Sequence, residues 1–234
     1  FIDFLGTGRT LLQMSYDRIR NLIPASNILI MTNERYADLV AEQLPEVTTD
    51  QILFEPARRN TAPCIAWAAW HIAARDPEAS MIVTPADHVI TREALFEASV
   101  LAGFDFVDRN NALLTFGITP SRPETGYGYI QIGELAEGDI SKVKTFTEKP
   151  DLELAKVFVA SGEFFWNSGI FLWRATAIRE AIHRYVPDIA TVFDSADSAV
   201  YLDPEAERAF IANAFPSCMS ISIDLCLIHI SEPT

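Results

Sequence analysis

Short apolar runs alternate with longer amphipathic stretches through the first half of the chain, and this rhythm predicts repeated βα units. Thr10 stands ahead of residues 11–22, where Leu11, Leu12, Tyr16 and Ile19 share one helical face before Pro24. Residues 28–31 read as a short buried strand, followed by a Thr32/Asn33 cap and a helix to 44 that Pro45 stops. Residues 51–54 form a second strand. The helix expected at 64–74 is apolar on nearly all sides, which predicts burial; Asn60 or Thr61 can cap it, with Pro63 in its first turn. A strand at 81–84, a helix at 91–108 and a strand at 112–118 continue the alternation. Nearly continuous apolar strands in βα repeats imply an α/β fold, a mixed, mainly parallel sheet with helices on both faces.

After residue 118 the rhythm breaks. Residues 119–129 form a loop rich in Gly and Pro, of a length that marks a binding loop or a mobile segment. Strands are expected at 129–132, 143–146 and 165–173, and helices at 151–160, closed by Gly162, then at 176–185, 189–196 and 204–213. A last strand at 220–223 leads to Asp224. No repeat or linker divides residues 1–224, which are read as one domain. Residues 225–234 continue no element and are read as a non-native or disordered tail, so Cys226 and His229 carry no functional weight.

With 234 residues and 49% hydrophobic content the chain can bury a large core. A formal charge of −14 argues against a nucleic-acid or anionic-membrane surface, and a small anionic ligand would need a few local cations or a metal. Three cysteines without metal-ligand spacing suit a reducing compartment, so cytoplasm is expected. No apolar run approaches the roughly 20 residues that span a bilayer. The chain opens on Phe1, which is read as a truncated start.

The densest candidate chemistry lies at residues 81–88, MIVTPADH, where an apolar run ends in Pro85, Asp87 and His88. Ligands of open α/β sheets gather beyond strand ends, so Asp87 suits a metal or substrate contact; it equally suits a turn or a cap for the helix near Thr91. Gly6-Thr7-Gly8 reads as a plain turn. Trp67, Trp70, Phe165 and Trp166 read as core.

Five stretches together carry a resemblance: residues 55–63 (EPARRNTAP), Pro85 with Asp87 and His88 (PADH), residues 125–129 (TGYGY), residues 146–150 (FTEKP) and residues 166–171 (WNSGIF). In this order they resemble the bacterial mannose-1-phosphate guanylyltransferases, and the RNTAP form points to the guanylyl branch. The resemblance runs from Phe1 to about Asp224 and implies a Rossmann-like nucleotide-diphospho-sugar transferase fold. It implies GTP and mannose 1-phosphate as substrates, GDP-mannose and pyrophosphate as products, Mg2+ as cofactor, and a homodimer for the full-length protein as an open option.

By the same resemblance Asp87 and Asp224 hold the metal, and Asp87 and Lys149 are the catalytic groups. Lys149 grips the sugar phosphate as a point charge. Glu148 accepts from sugar hydroxyls, and Asn167 offers the ring both a donor and an acceptor. Gly126 and Gly128, with Tyr127 between them, let the backbone approach the sugar closely. Glu55, Asn60, Thr61 and Pro85 recognise the nucleotide. Each has a plainer reading as well: a cap for Asn60 or Thr61, a strand-end carboxylate for Asp224, a solvated lysine for Lys149. Arg58 and Arg59 can attract phosphates. His88 is read as a structural or nucleotide-edge contact, since an ionised phosphate nucleophile needs no base.

The sequence lacks the family's glycine-rich loop with its Arg and Lys, expected ahead of Phe1, and the β-rich region expected after Asp224. The 234 residues alone are therefore expected to have little activity. Two alternatives stay open: a nucleotidyltransferase using dTTP or UTP with another sugar phosphate, and a non-catalytic sugar-nucleotide-binding regulatory protein.

Overall fold

In the computed structural model, which describes residues 1–224 and 226, Thr10 opens the first helix, α1 (Leu11–Arg20), through a capping box. Its hydroxyl accepts from the Gln13 N–H, and the Gln13 side chain accepts from the Thr10 N–H. Then come β1 (Ile30–Asn33), α2 (Ala37–Gln43), β2 (Ile52–Glu55) and α3 (Thr61–Arg75). β1 and β2 pair in parallel, Ile30 opposite Ile52 and Asn33 opposite Glu55. α3 is buried nearly all round, as its composition predicts. β3 (Ser80–Val83), α4 (Glu93–Arg109) and β4 (Leu113–Ile118) complete the first half.

Beyond the loop lie β5 (Tyr129–Glu137), β6 (Ile140–Thr147), α5 (Leu152–Ser161), β7 (Phe164–Arg174), α6 (Ala175–Tyr185), α7 (Pro187–Asp194) and α8 (Pro204–Ala214). β5 and β6 run well past the expected 129–132 and 143–146 as a hairpin turning at Gly138, φ 54°. The outer part of this hairpin is largely exposed, so it shows no one-sided apolar alternation from which its length can be read.

β7 organises the main sheet. Its second half lies between β3 and β4, with Met81 and Leu113 both opposite Trp173, and its first half bonds to β5, with Tyr129 opposite Trp166. All these pairs are antiparallel. The mixed α/β expectation holds, but its mainly parallel part is corrected: among the described residues the one parallel ladder is β1–β2, because β7 runs between β3 and β4 against both. A strand covered on both faces shows the same apolar run whichever way it points.

Helices do cover both faces. Phe171 and Trp173 point into a core with Trp67, Ile178, Ile182 and Phe193. Ile170 and Leu172 point into the other, with Tyr16, Ile19, Phe96 and Val100. Trp67, Trp70 and Trp166 are buried, as their core reading requires. In the first core a carboxylate is also buried: Glu207 accepts from Trp67 Nε1 at 2.7 Å and lies 2.9 Å from His71 Nδ1, so its charge is not left without partners.

The strand expected at 220–223 is not formed. Ile221 O accepts from the Ala62 N–H and the Ile223 N–H donates to the Thr61 hydroxyl, so this backbone is satisfied by the start of α3 and not by a ladder. Ile223 and Asp224 begin a helical turn instead. The tail assigned to 225–234 lies outside the described residues, Cys226 apart, and Cys226 is buried in the first core.

Candidate functional site

Midway along its length β7 carries a bulge. Thr115 pairs with Phe171 and Gly117 with Asn167, so residues 168–170 sit opposite Phe116 alone. Gly169 supports the bulge with φ 69°, a conformation glycine adopts without steric cost. Bulges re-aim side chains, and here Asn167 is turned into a polar cluster. Its Oδ1 accepts from Gly169 N–H at 3.2 Å and from the Thr115 hydroxyl at 3.2 Å, while Nδ2 donates to Asp224 Oδ1 at 2.6 Å.

The Asn167 N–H donates to Gly128 O at 2.8 Å, which joins this cluster to the loop before β5. Gly128 is pressed against the end of β6: a Cβ there would lie 2.8 Å from Glu148 Oε2 and 3.1 Å from Phe146 Cε1. Glu148 Oε1 lies 3.4 Å from Lys149 Nζ. Lys149 has φ 43°, which is uncommon outside glycine and is held here in the turn between β6 and α5. Gly126 differs from Gly128, since a Cβ on it would meet Glu124 Oε1 at 3.4 Å, an ordinary contact.

The loop itself is tied down. Glu124 accepts from the N–H groups of Thr125 and Gly126 and from Arg122; the Gly126 N–H, then the Arg122 side chain, hold its carboxyl below the ordinary value. Tyr129 OH accepts from the Glu124 N–H and donates to its carbonyl. Tyr127 meets the Trp166 ring edge-on at 5.3 Å and remains 45% exposed, while the Arg122 guanidinium lies over Trp166.

On the other side, Glu55 closes β2. Burial pushes its carboxyl up, opposed by a hydrogen bond with Cys64, whose thiol burial also raises. Asn60, at φ 64°, caps α3 by accepting from the Thr61 N–H at 2.9 Å. Arg59 donates to Pro216 O. Pro85 packs close to Gly169, whose Cβ would meet it at 3.5 Å. Asp87 lies in a turn with its side chain 81% exposed, 3.9 Å from His88 Nε2. α4 begins at Glu93 with Arg92 at its N-cap, so Asp87 does not cap it.

Thus Asn167 meets Asp224, Gly128 meets Glu148, Glu148 meets Lys149, and Thr61 holds the backbone just before Asp224. Among the described residues no hydrogen bond or ion pair joins Asp87 to Asp224, and no three His, Cys, Asp or Glu side chains form a metal cage. Sequence reasoning missed Arg18, fully buried on α1 and donating to His88 O at 3.3 Å, and the Glu124–Arg122 brace. An acidic residue two positions before Gly126 was a readable turn signal. Thr115, one hydroxyl in an apolar strand, offered none.

The sequence pattern of the family described as Nucleotidyl transferase matches residues 2–208. The chain belongs to the nucleotidyl transferase family. Within it, the chain is 41% identical over 229 residues to a mannose-1-phosphate guanylyltransferase of Escherichia coli (strain K12), covering 94% of this chain and 47% of that protein. It is 40% identical over 203 residues to the xanthan biosynthesis protein XanB of Xanthomonas campestris pv. campestris (strain B100), covering 86% of this chain and 43% of the relative. The chain therefore spans about half the length of the curated relatives it matches. A crystal structure described as mannose-1-phosphate geranyltransferase from Thermus thermophilus superposes with TM-score 0.81 at 23% identity, over 96% of this chain and 62% of that one, and shows the fold.

Proposed function

We propose that this nucleotidyl transferase chain serves transfer of GMP from GTP to mannose 1-phosphate, giving GDP-mannose and pyrophosphate. The observation that carries the reading is the convergence of Gly128, Glu148, Lys149, Asn167 and Asp224 around the bulge of β7, in a chain about 40% identical to relatives named mannose-1-phosphate guanylyltransferase or xanthan biosynthesis protein. In the reaction a phosphate oxygen of mannose 1-phosphate attacks the α-phosphorus of GTP. The bond from that phosphorus to the bridging oxygen breaks, and pyrophosphate leaves with the electron pair. The protein's task is positioning and charge neutralisation.

Lys149 supplies a cation beside Glu148 for the sugar phosphate, and Glu148 accepts from sugar hydroxyls against the bare backbone of Gly128. Tyr127, braced on Trp166, and Gly126 lie on the loop that leads into Gly128 and belong to the sugar side of this reading. Glu55, Asn60, Thr61 and Pro85 form the nucleotide side of this reading. Mg2+ takes one or two carboxylates together with phosphate oxygens and water, so the hard oxygens of solvent-facing Asp87 and of Asp224 fit it without an all-protein cage. When bound it would neutralise phosphate charge there. Cytoplasmic location belongs to the same reading, supported by free Cys64, Cys218 and Cys226. Among the described residues no helix is long and apolar enough to cross a membrane.

The test is pyrophosphate release by the complete protein carrying this chain, with mannose 1-phosphate, Mg2+ and GTP, UTP or dTTP in parallel. GTP is expected to be preferred, and Asp87→Ala to remove Mg2+-dependent turnover. Preference for another nucleotide overturns the guanylyl reading, and an Asp87→Ala variant with undiminished rates at low Mg2+ overturns the role of Asp87.

A further inference from the structure

We propose that Thr115 is a positioning residue, which through the Asn167 amide sets the direction of the Asp224 carboxylate. The kinetic consequence rests on the sugar-nucleotide reading of this site; the geometry does not. Asn167 Oδ1 accepts from the Gly169 N–H and faces the Thr115 hydroxyl, whose single proton is shared between Oδ1 and Ile170 O. Of the two protons on Nδ2, one goes to Asp224.

The amide orientation is decided by its surroundings. Rotated by half a turn, it would face the Gly169 N–H with a second donor and the Asp224 carboxylate, at 2.6 Å, with a second acceptor. The bond to Asp224 is short, 2.6 Å from Nδ2 to a carboxylate oxygen. Asn167 thus offers a ligand one N–H, while its acceptor is turned toward Gly169 and Thr115. This narrows the sequence expectation, in which Asn167 both donates to and accepts from the sugar.

Thr115 lies where this orientation is controlled. Its hydroxyl is 3.2 Å from Asn167 Oδ1 on the entry side of the bulge and 3.3 Å from Ile170 O on the exit side. The bulge interrupts the regular pairing of β7 with β4, and one side chain of β4 reaches across it. Losing the hydroxyl leaves the amide held by Gly169 and Asp224 alone, free to swing with the carboxylate it is meant to aim.

Two readouts test this in the complete protein. In ligand-free protein labelled with 15N-asparagine, the side-chain amide protons of Asn167 are expected as a widely separated pair, one shifted downfield by the carboxylate. The pair should persist in Thr115→Ser and move toward free-amide positions in Thr115→Val, which keeps the shape and loses the hydroxyl. In turnover, Thr115→Val is expected to lower kcat/KM for mannose 1-phosphate about tenfold, the order of one lost hydrogen bond, with Thr115→Ser restoring most of it. Asp224→Asn should move the same amide signals, which reads the coupling in a protein with an intact Thr115. Unchanged signals in Thr115→Val, or equal losses in the Ser and Val variants, overturn the proposal. An inactive wild-type protein whose Asn167 signals persist in Thr115→Ser and move in Thr115→Val counts against the guanylyltransferase reading and supports the positioning role.

Discussion

Gly128→Ala separates the two tasks that meet at this site, holding the sheet together and placing a carboxylate. The added Cβ would lie 2.8 Å from Glu148 Oε2 and 3.1 and 3.3 Å from Phe146 Cε1 and Cζ, all tighter than ordinary contact. The Glu148 carboxylate is the end of a flexible side chain and gives way first. The Phe146 ring then shifts by a few tenths of an ångström. Overpacking of this kind costs about 1–3 kcal/mol, which lowers Tm by about 2–4 °C for each kcal/mol in a chain of this size. The effect on turnover is larger, since displacement of a substrate-positioning group by a fraction of an ångström lowers kcat/KM for mannose 1-phosphate by about tenfold or more. Gly126→Ala is the control, because its Cβ meets Glu124 Oε1 at 3.4 Å. Thermal melts followed by circular dichroism, with kcat and KM measured separately for GTP and for mannose 1-phosphate, read both effects. A Gly128→Ala protein with wild-type Tm and wild-type KM for the sugar phosphate, or a Gly126→Ala protein with the larger defect, refutes the argument.

Two further outcomes follow from the nucleotide side. Burial raises the Glu55 carboxyl above its ordinary 4.5, so its contribution to stability is fully present below about pH 4.5 and is lost as pH rises through the folded value; Glu55→Gln should remove that slope from a plot of Tm against pH, and a wild-type Tm that instead rises relative to the variant over this window contradicts the burial argument. Asn60 has φ 64° and ψ −169°, a region essentially reserved for glycine, while its side chain caps α3. Asn60→Ala should lose about 1 kcal/mol with the cap, whereas Asn60→Gly releases strain of about 1–3 kcal/mol. Urea midpoints should therefore rank Gly at or above wild type and Ala below it. A Gly variant of full stability with weakened GTP affinity would assign Asn60 to the nucleotide as well as to the helix.

The helices were legible because their signals are local. Thr10, Gly162 and the stops near Pro24 and Pro45 act within a turn or two of chain, and the Thr10 cap and the Gly162 end form as read. The site was legible in its parts, as stretches whose order resembled a family, and less so in its geometry. Asn167 was expected to contact sugar through both ends of its amide, and its surroundings, with Oδ1 turned to Thr115 and Gly169 and Nδ2 to Asp224, could not be read from the sequence. Asp224 was expected at a strand end and stands instead on a helical turn beside α3, because the N-terminal groups of that helix satisfy the backbone that a ladder would have used.

The sequence by itself determined the alternation of strands and helices, the burial of α3 on all sides, the capped helix ends and the cluster of stretches from which the family could be named. These depend on periodicity and on contacts a few residues apart. Only the tertiary structure decided the direction and neighbours of β7, the bulge at 168–170 that turns Asn167 toward Asp224, and the close approach of Gly128 to Glu148. Each of these is a pairing between segments distant in sequence. Its energy comes from groups that carry no mark of their partner until the chain has folded.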